Sequence, residues 1–350
     1  MRMKKDGISV IGAFGYGSTG VNGQSIKTRL LKDRLAVLAK RQVTYCDTLD
    51  WRRYTFRVFV QAWRCFRNSS VVFILPGVNG LKMLPFYCKW KDWHQVDLRY
   101  VTVGGWLPDY LVKNPKQKKF LKKIDEIYVQ SSVMKKKLHA EGLFNVSVMP
   151  NSRFFDLGRV TRLQDSGDDD CLNLVFFSRV KREKGVEDAI AAVVELNNYG
   201  QIKVTLDVYG PIEKGYESDF FELISKKSGC VAYKGIIDPD RKDIYDVLSG
   251  YDCMVFPTYY PGEGFPGVVV DAFIAGLPVL ASNWKYNYEY VRDGETGYLF
   301  ETRDIEALKA VIIGLAADRK KHVDMRYACL REAEKYHSDK VIREFFGDIL

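Results

Sequence analysis

The sequence predicts an α/β protein built from two doubly wound, Rossmann-like parallel sheets, and three observations carry that expectation. Short β-rich runs alternate with helical patterns along the chain, the order that winds a parallel sheet with helices on both faces. The length, 350 residues, suits two domains at roughly 150 residues each. The charge divides the same way: residues 1–165 carry 30 Lys and Arg against 12 Asp and Glu, net +18, whereas residues 166–350 carry 23 against 32, net −9.

Taken in order, the first half offers strands at Ile8–Phe14, Val43–Asp47, Val71–Leu75, Tyr100–Val103 and Ile127–Gln130. Each is a short apolar or β-branched run bounded by turn residues. The second half offers Leu172–Phe177, Val204–Tyr209, Val231–Tyr233, Cys253–Pro257 and Pro278–Ala281. Between the halves, Gln164-Asp-Ser-Gly-Asp-Asp-Asp170 is polar, acidic and turn-forming, which reads as a linker over 164–171. The expected division is therefore 1–163, linker, 172–338, and a terminal helix over 339–350.

Several classes are excluded early. A composition of 47% apolar and 28% charged residues is that of an ordinary globular chain, not a disordered or collagenous one. No uninterrupted apolar stretch reaches the ~18–20 residues needed to span a bilayer. The start, Met1 to Gly17, has a basic tip and an apolar run, but the run is short, broken by glycine and lacks a cleavage site, so it reads as a first strand. Cys46, Cys65, Cys88, Cys171, Cys230, Cys253 and Cys329 are dispersed with no C-x-x-C pair, which predicts reduced thiols in a cytoplasmic protein. The basic first half could attract nucleic acid, an anionic membrane surface or a phosphorylated substrate, and charge alone does not choose.

The most informative segment is Pro257-Thr-Tyr-Tyr-Pro-Gly-Glu263-Gly-Phe-Pro-Gly-Val-Val-Val-Asp271-Ala-Phe-Ile-Ala-Gly276-Leu-Pro278-Val279. A strand ends at Pro257, a glycine-rich loop carries Glu263, and a helix begins near Gly267 with Asp271 about one turn in. Both acids would project from the carboxyl end of a strand, where open α/β sheets bind ligands. In the bland alternative, Glu263 caps a loop and Asp271 starts a helix, where its charge suits the dipole. A second segment, Phe177-Ser178-Arg179-Val-Lys-Arg-Glu-Lys184-Gly185, places a basic loop between a strand and an amphipathic helix. Two cations beside a helix N-terminus suit a pyrophosphate whose charge grows as it departs.

These segments resemble the retaining glycosyltransferases of family 4, marked by Glu-x7-Glu followed by Ala-x-x-x-Gly-x-Pro-Val and by Gly-Arg-x-x-x-x-Lys-Gly. Here the second acid is Asp271, one methylene shorter, and Ser178 stands where the family has glycine. The resemblance spans nearly all of residues 172–317. It implies a GT-B enzyme, two Rossmann-like domains facing across a cleft, with an acceptor-binding first domain and a donor-binding second. It also implies Glu263 as catalytic residue against the donor sugar, Arg179 and Lys184 on the diphosphate, and Asp271 on the ribose. Gly264, Phe265 and Pro266 would form the sugar and phosphate loop, with Tyr209, Gly210 and Gly235 near the base. The expected substrate is a UDP- or GDP-linked sugar, with no cofactor and no metal. The expected acceptor is a saccharide or a polyprenyl-diphosphate-linked saccharide of capsule or exopolysaccharide assembly.

In the first domain, Gly15-Tyr-Gly17-Ser-Thr-Gly20 follows a strand and Asp47 ends the next, formally a dinucleotide fingerprint. The turn is expected to continue through Gly23, Gln24 and Lys27 to Thr28, so that backbone amides approach an anion and Lys27 adds charge. Gly-Gln-x-x-Lys-Thr and Gly104-Gly105-Trp106 are similar to a subset of family 4 enzymes, the latter marking an acceptor cleft. Many relatives place a histidine there; this chain does not, and His94, His139, His322 and His337 match no catalytic position.

From Trp51 to Arg67 a helical wheel puts Arg53, Arg57, Arg64 and Arg67 on one face and Val58, Phe59, Ala62, Trp63 and Phe66 largely on another. Such a helix can lie on anionic lipid, helped by nine lysines between Lys113 and Lys137, or can connect two strands with its apolar face in the core. Three rival functions remain: a nucleotide-sugar epimerase of the same fold, a nicotinamide-dependent oxidoreductase, and a basic nucleic-acid-binding module.

Overall fold

The computed structural model describes residues 6–16, 23–156, 158, 171–200, 202–225, 229–237 and 244–350. Of the expected linker, 164–171, residues 164–170 lie outside the described residues, as do Gly17 and Gly20, while Cys171 opens a strand. The chain forms two compact units, Met1–Phe154 with Tyr336–Leu350, and Phe155–Lys335.

The first unit runs β1 (Gly7–Gly12), α1 (Gly23–Leu38), β2 (Val43–Asp47), α2 (Thr55–Asn68), β3 (Ser69–Leu75) and α3 (Leu84–His94). It continues with β4 (Asp97–Val101), α4 (Leu107–Lys113), α5 (Lys118–Leu121), β5 (Glu126–Val129), α6 (Ser132–Ala140) and β6 (Val146–Val148). Its sheet has the order β2-β1-β3-β4-β5-β6, and every pairing is parallel. The central strand β3 reads Ser-Ser-Val-Val-Phe-Ile-Leu and is buried on both faces, as a strand flanked by helices on each side must be.

The second unit runs β7 (Cys171–Phe177), α7 (Val186–Asn198), β8 (Lys203–Tyr209), α8 (Glu217–Ser225), β9 (Val231–Gly235) and α9 (Ile244–Ser249). It continues with β10 (Cys253–Phe256), α10 (Gly267–Ile274), β11 (Val279–Ser282), β12 (Gly297–Phe300), α11 (Ile305–Ala317) and α12 (Arg319–Ala333). Its sheet, also parallel, has the order β12-β11-β10-β7-β8-β9. The strand order reverses between β7 and β10, and the carboxyl ends of those two strands carry the two motifs singled out above.

Each sheet holds one strand more than the sequence pattern offers. β6 and β12 have three and four residues, too short to show a period. β4 also begins three residues earlier than expected, at Asp97.

The terminal helix, expected to follow the second domain, is α13 (Ser338–Phe346), and it packs on the first unit. Val341, Ile342 and Phe346 are buried in the core beside Val71, Phe73 and Tyr128. The Phe346 ring meets Phe73 at 4.8 Å and Tyr128 at 5.1 Å, edge to face. Arg34 grips Asp339 through two hydrogen bonds of 2.6 and 2.7 Å, and Arg99 bonds both Asp97 and Asp348.

Part of the apolar face of α2 packs inside the unit, while Phe56 is exposed. Ala62, Cys65 and Phe66 are buried, Phe59 lies edge-on to Phe86 and Trp90 of α3 at 5.5 and 4.9 Å, and Trp63 meets His94. Arg53, Arg57, Arg64 and Arg67 are exposed. All seven cysteines are free, and burial pushes the Cys46 thiol up to about 12 and Cys65 to about 11, so both stay protonated and unreactive at neutral pH.

Candidate active site

Two loops of the second unit are stitched together by their backbones before any side chain is considered. After β7 the chain makes a tight turn, Arg182–Lys184, and ends it at Gly185 with φ +75°. A Cβ at Gly185 would sit 2.1 Å from the Pro257 carbonyl oxygen, so only glycine lets this turn approach the end of β10. The Tyr259 amide then donates to the Glu183 carbonyl at 2.8 Å. A second glycine, Gly210 at φ +139°, brings the end of β8 against the Ser178 carbonyl, where a Cβ would lie at 1.8 Å.

The approach puts Lys184 and Glu263, 79 residues apart in sequence, into an ion pair of 2.6 Å. Lys184 is 7% exposed and Glu263 6%. Thr258 Oγ1 donates to the same carboxylate oxygen at 2.9 Å. Charges this far from water are retained only when paired and hydrogen-bonded, and removing one partner costs about 3–5 kcal/mol because the other is left uncompensated. Arg179 is exposed, with its guanidinium 5.7 Å from the Tyr260 ring centroid. Lys181, buried, pairs with Glu213 at 2.9 Å and Glu183 at 3.2 Å, bonds that raise its pKa against the desolvation that lowers it.

Asp271 is the fifth residue of α10, buried, and accepts a hydrogen bond of 3.3 Å from the Tyr245 hydroxyl. It therefore does not open the helix as a dipole-stabilising acid would. Gly264, Phe265 and Pro266 are buried, Pro266 precedes the first turn of α10, and Phe265 stacks on Tyr290 at 3.8 Å with the planes 4° apart. Tyr209 ends β8 and Gly210 follows it, beside Gly235 of β9: the Gly210 amide donates to the Gly235 carbonyl at 2.9 Å. The Tyr209 hydroxyl is 3.1 Å from that of Tyr251, which donates to Asp207 at 2.7 Å.

In the first unit the expected loop is turned inward. Asp47 accepts the amides of Phe14 and Gly15, each at 3.0 Å, and of Leu49 at 2.9 Å, so the acid of the formal dinucleotide fingerprint caps its own turn. Arg29 donates to the carbonyls of Phe14 and Gly15 at 2.7 and 2.6 Å. Rather than continuing as a turn to Thr28, the chain is helical from Gly23. Gln24 bonds the Leu75 carbonyl at 3.0 Å, and Lys27, 7% exposed, donates to the Thr102 carbonyl at 3.1 Å. Burial and the nearby Arg153 lower the Lys27 pKa to about 7. Gly104 has φ +80°, Gly105 is buried, and Trp106 donates from Nε1 to the Val103 carbonyl at 2.7 Å.

Sequence reasoning missed Thr258, Tyr260, Tyr245 and Arg29. Thr258 alone had a local signal, a hydroxyl one residue past the strand-ending proline. The others act on partners distant in sequence.

Two parallel six-stranded sheets, each wound with helices, make up the GT-B fold. Residues 166–330, most of the second unit, match the family model of glycosyl transferases group 1. The chain is 30% identical over 146 residues to a glycogen synthase of Mycobacterium tuberculosis, a match covering 41% of this chain and 34% of that one. It is 26% identical over 172 residues to the capsular polysaccharide biosynthesis glycosyltransferase CapM of Staphylococcus aureus, covering 48% and 43%. The matches thus span less than half the length of these relatives. The crystal structure of Anabaena HepE in complex with UDP has the same fold, with a TM-score of 0.76 at 16% identity over 98% of each chain.

Proposed function

We propose that this protein is a metal-independent, retaining glycosyltransferase of family 4, moving a sugar from a nucleoside diphosphate, UDP or GDP, to a saccharide acceptor in bacterial surface polysaccharide assembly. The observation that carries the reading is the buried Lys184–Glu263 pair at the switch point of a group 1 domain. Capsule assembly takes support from the CapM likeness, and UDP from that of HepE.

On this reading Arg179 and Lys184 hold the donor diphosphate, Glu263 contacts the hexose, Asp271 the ribose, and the Gly264–Pro266 loop the sugar and its phosphate. Gly104, Gly105 and Trp106 belong to the acceptor side. The acceptor hydroxyl oxygen forms a bond to the anomeric carbon as the bond to the diphosphate oxygen breaks. The electron pair leaves with the phosphate, and that phosphate takes the hydroxyl proton, so no histidine base is required. The cations stabilise the charge that grows on the leaving group.

A lipid-linked acceptor would be met at the inner face of the plasma membrane. The exposed Arg face of α2 and the lysines from Lys113 to Lys137 supply an electrostatic hold on anionic lipid, one that salt weakens. Among the described residues no helix is long and apolar enough to cross a membrane.

A thermal-shift screen against UDP, GDP, ADP, CMP, NAD and their sugar conjugates tests the donor reading through ligand linkage. One nucleoside diphosphate should raise the melting temperature, and Arg179→Ala should lose the effect; stabilisation by NAD alone would sink the transferase reading. With donor and acceptor found, Glu263→Gln should lower turnover by roughly 10²–10³.

A further inference from the structure

Three cations of the second unit converge on one aromatic ring. The ammonium nitrogens of Lys181 and Lys184 each lie 5.1 Å from the Tyr260 centroid, and the Arg179 guanidinium lies 5.7 Å from it. Like charges gathered this closely repel, and the negative face of a π system is one of few neutral surfaces that offset the repulsion without occupying a hydrogen-bond donor. Donors left unspent are what an incoming phosphate needs.

The backbone that carries the ring is fixed at both its polar groups. The Tyr260 amide donates to Thr258 Oγ1 at 3.2 Å, and its carbonyl accepts from Trp284 Nε1 at 2.8 Å and from the Glu263 amide at 3.1 Å. Gly262 gives it room: a Cβ there would lie 2.7 Å from Tyr260 Cε1. The three cations are not equivalent. Lys181 is tied to Glu213 and Glu183 and Lys184 to Glu263, while Arg179 is exposed.

We propose that Tyr260 is a positioning residue whose ring face gathers Arg179 and Lys184 into one wall for the donor diphosphate. The proposal rests on the donor reading above. It assigns the work to the ring and none to the hydroxyl. Without the platform, Arg179 returns to many solvent rotamers and must be ordered at the moment of binding, which weakens affinity and leaves the chemical step alone.

The test is calorimetric titration of UDP and of GDP into the full chain and its Tyr260→Phe, Tyr260→Leu and Gly262→Ala variants, each checked for an intact melting transition. Tyr260→Phe should bind within about twofold of the parent, and Tyr260→Leu about tenfold more weakly. Gly262→Ala, which displaces the ring without deleting it, covers the case in which the leucine variant fails to fold, and should weaken binding in the same direction. In the transfer assay the loss should appear in the donor KM with kcat nearly unchanged. Parent-like binding by Tyr260→Leu or Gly262→Ala, or a Tyr260→Phe loss as large as the leucine one, overturns the proposal and leaves the donor reading standing. A parent that binds neither nucleotide overturns both.

Discussion

The two units end their leading strands in glycine-bearing loops, and the two loops use charge in opposite ways. In the first unit Asp47, Arg29 and Lys27 are bonded to backbone amides and carbonyls of their own unit. In the second, Gly185 and Gly210 bring the backbones together by themselves, and the charged side chains of Arg179, Lys184 and Glu263 meet one another or solvent. A glycine pattern therefore says little about binding until it is known whether backbone or side chain closes the turn. Where side chains close it, their charge is already used.

The contrast can be broken at three points, taken from the largest expected effect. Gly185→Ala forces a Cβ onto the Pro257 carbonyl at a positive φ, and should cost about 3 kcal/mol or more. Urea denaturation should show the loss, together with loss of nucleotide binding, because the same contact holds Lys184 against Glu263. A variant as stable as its parent would mean that the turn is not backbone-closed.

Asp47→Ala removes an acceptor from three amides of the first unit. It should lower stability by about 2 kcal/mol and leave the nucleoside diphosphate binding proposed for the second unit unchanged. Equal damage to binding would show that the first-unit turn is part of the donor site.

The third point concerns pH. Lys27, held at about 7 in the fold, returns to about 10.4 when unfolded. Between these values the unfolded chain binds more protons, so Lys27 makes stability rise with pH from near 7 toward 10. Lys27→Met should flatten that rise, with its most favourable comparison below pH 7, where the parent buries a charged ammonium. Denaturation midpoints at pH 6, 8 and 9 measure it; an unchanged slope would place the Lys27 titration elsewhere.

Much of the fold was legible because parallel strands buried on both faces leave apolar runs that a sequence displays directly, as in Val71–Leu75. β6 and β12 were not, since three or four residues carry no readable period. Nor was the destination of α13. Its apolar face, with Val341, Ile342 and Phe346, could cover either sheet, and the choice shows in contacts distant in sequence, among them Arg34–Asp339 and Arg99–Asp348, pairs 305 and 249 residues apart. At the candidate site, Glu263, Asp271, Arg179 and Lys184 could be named from the motifs that resemble family 4. Thr258 could be suspected, and Tyr260 could not, because a ring becomes a platform only when three cations arrive over it.

The sequence by itself determined the two-sheet α/β class, the charge split between the halves, and the acids and bases of the second-unit motifs, because composition, periodicity and spacing are local. The tertiary structure decided that Lys184 would neutralise Glu263, that Lys27 and Asp47 would serve their own backbone, and that the last helix would return to the first unit. Those outcomes depend on which distant groups share a volume closed to water, where an unpaired charge is too costly to keep.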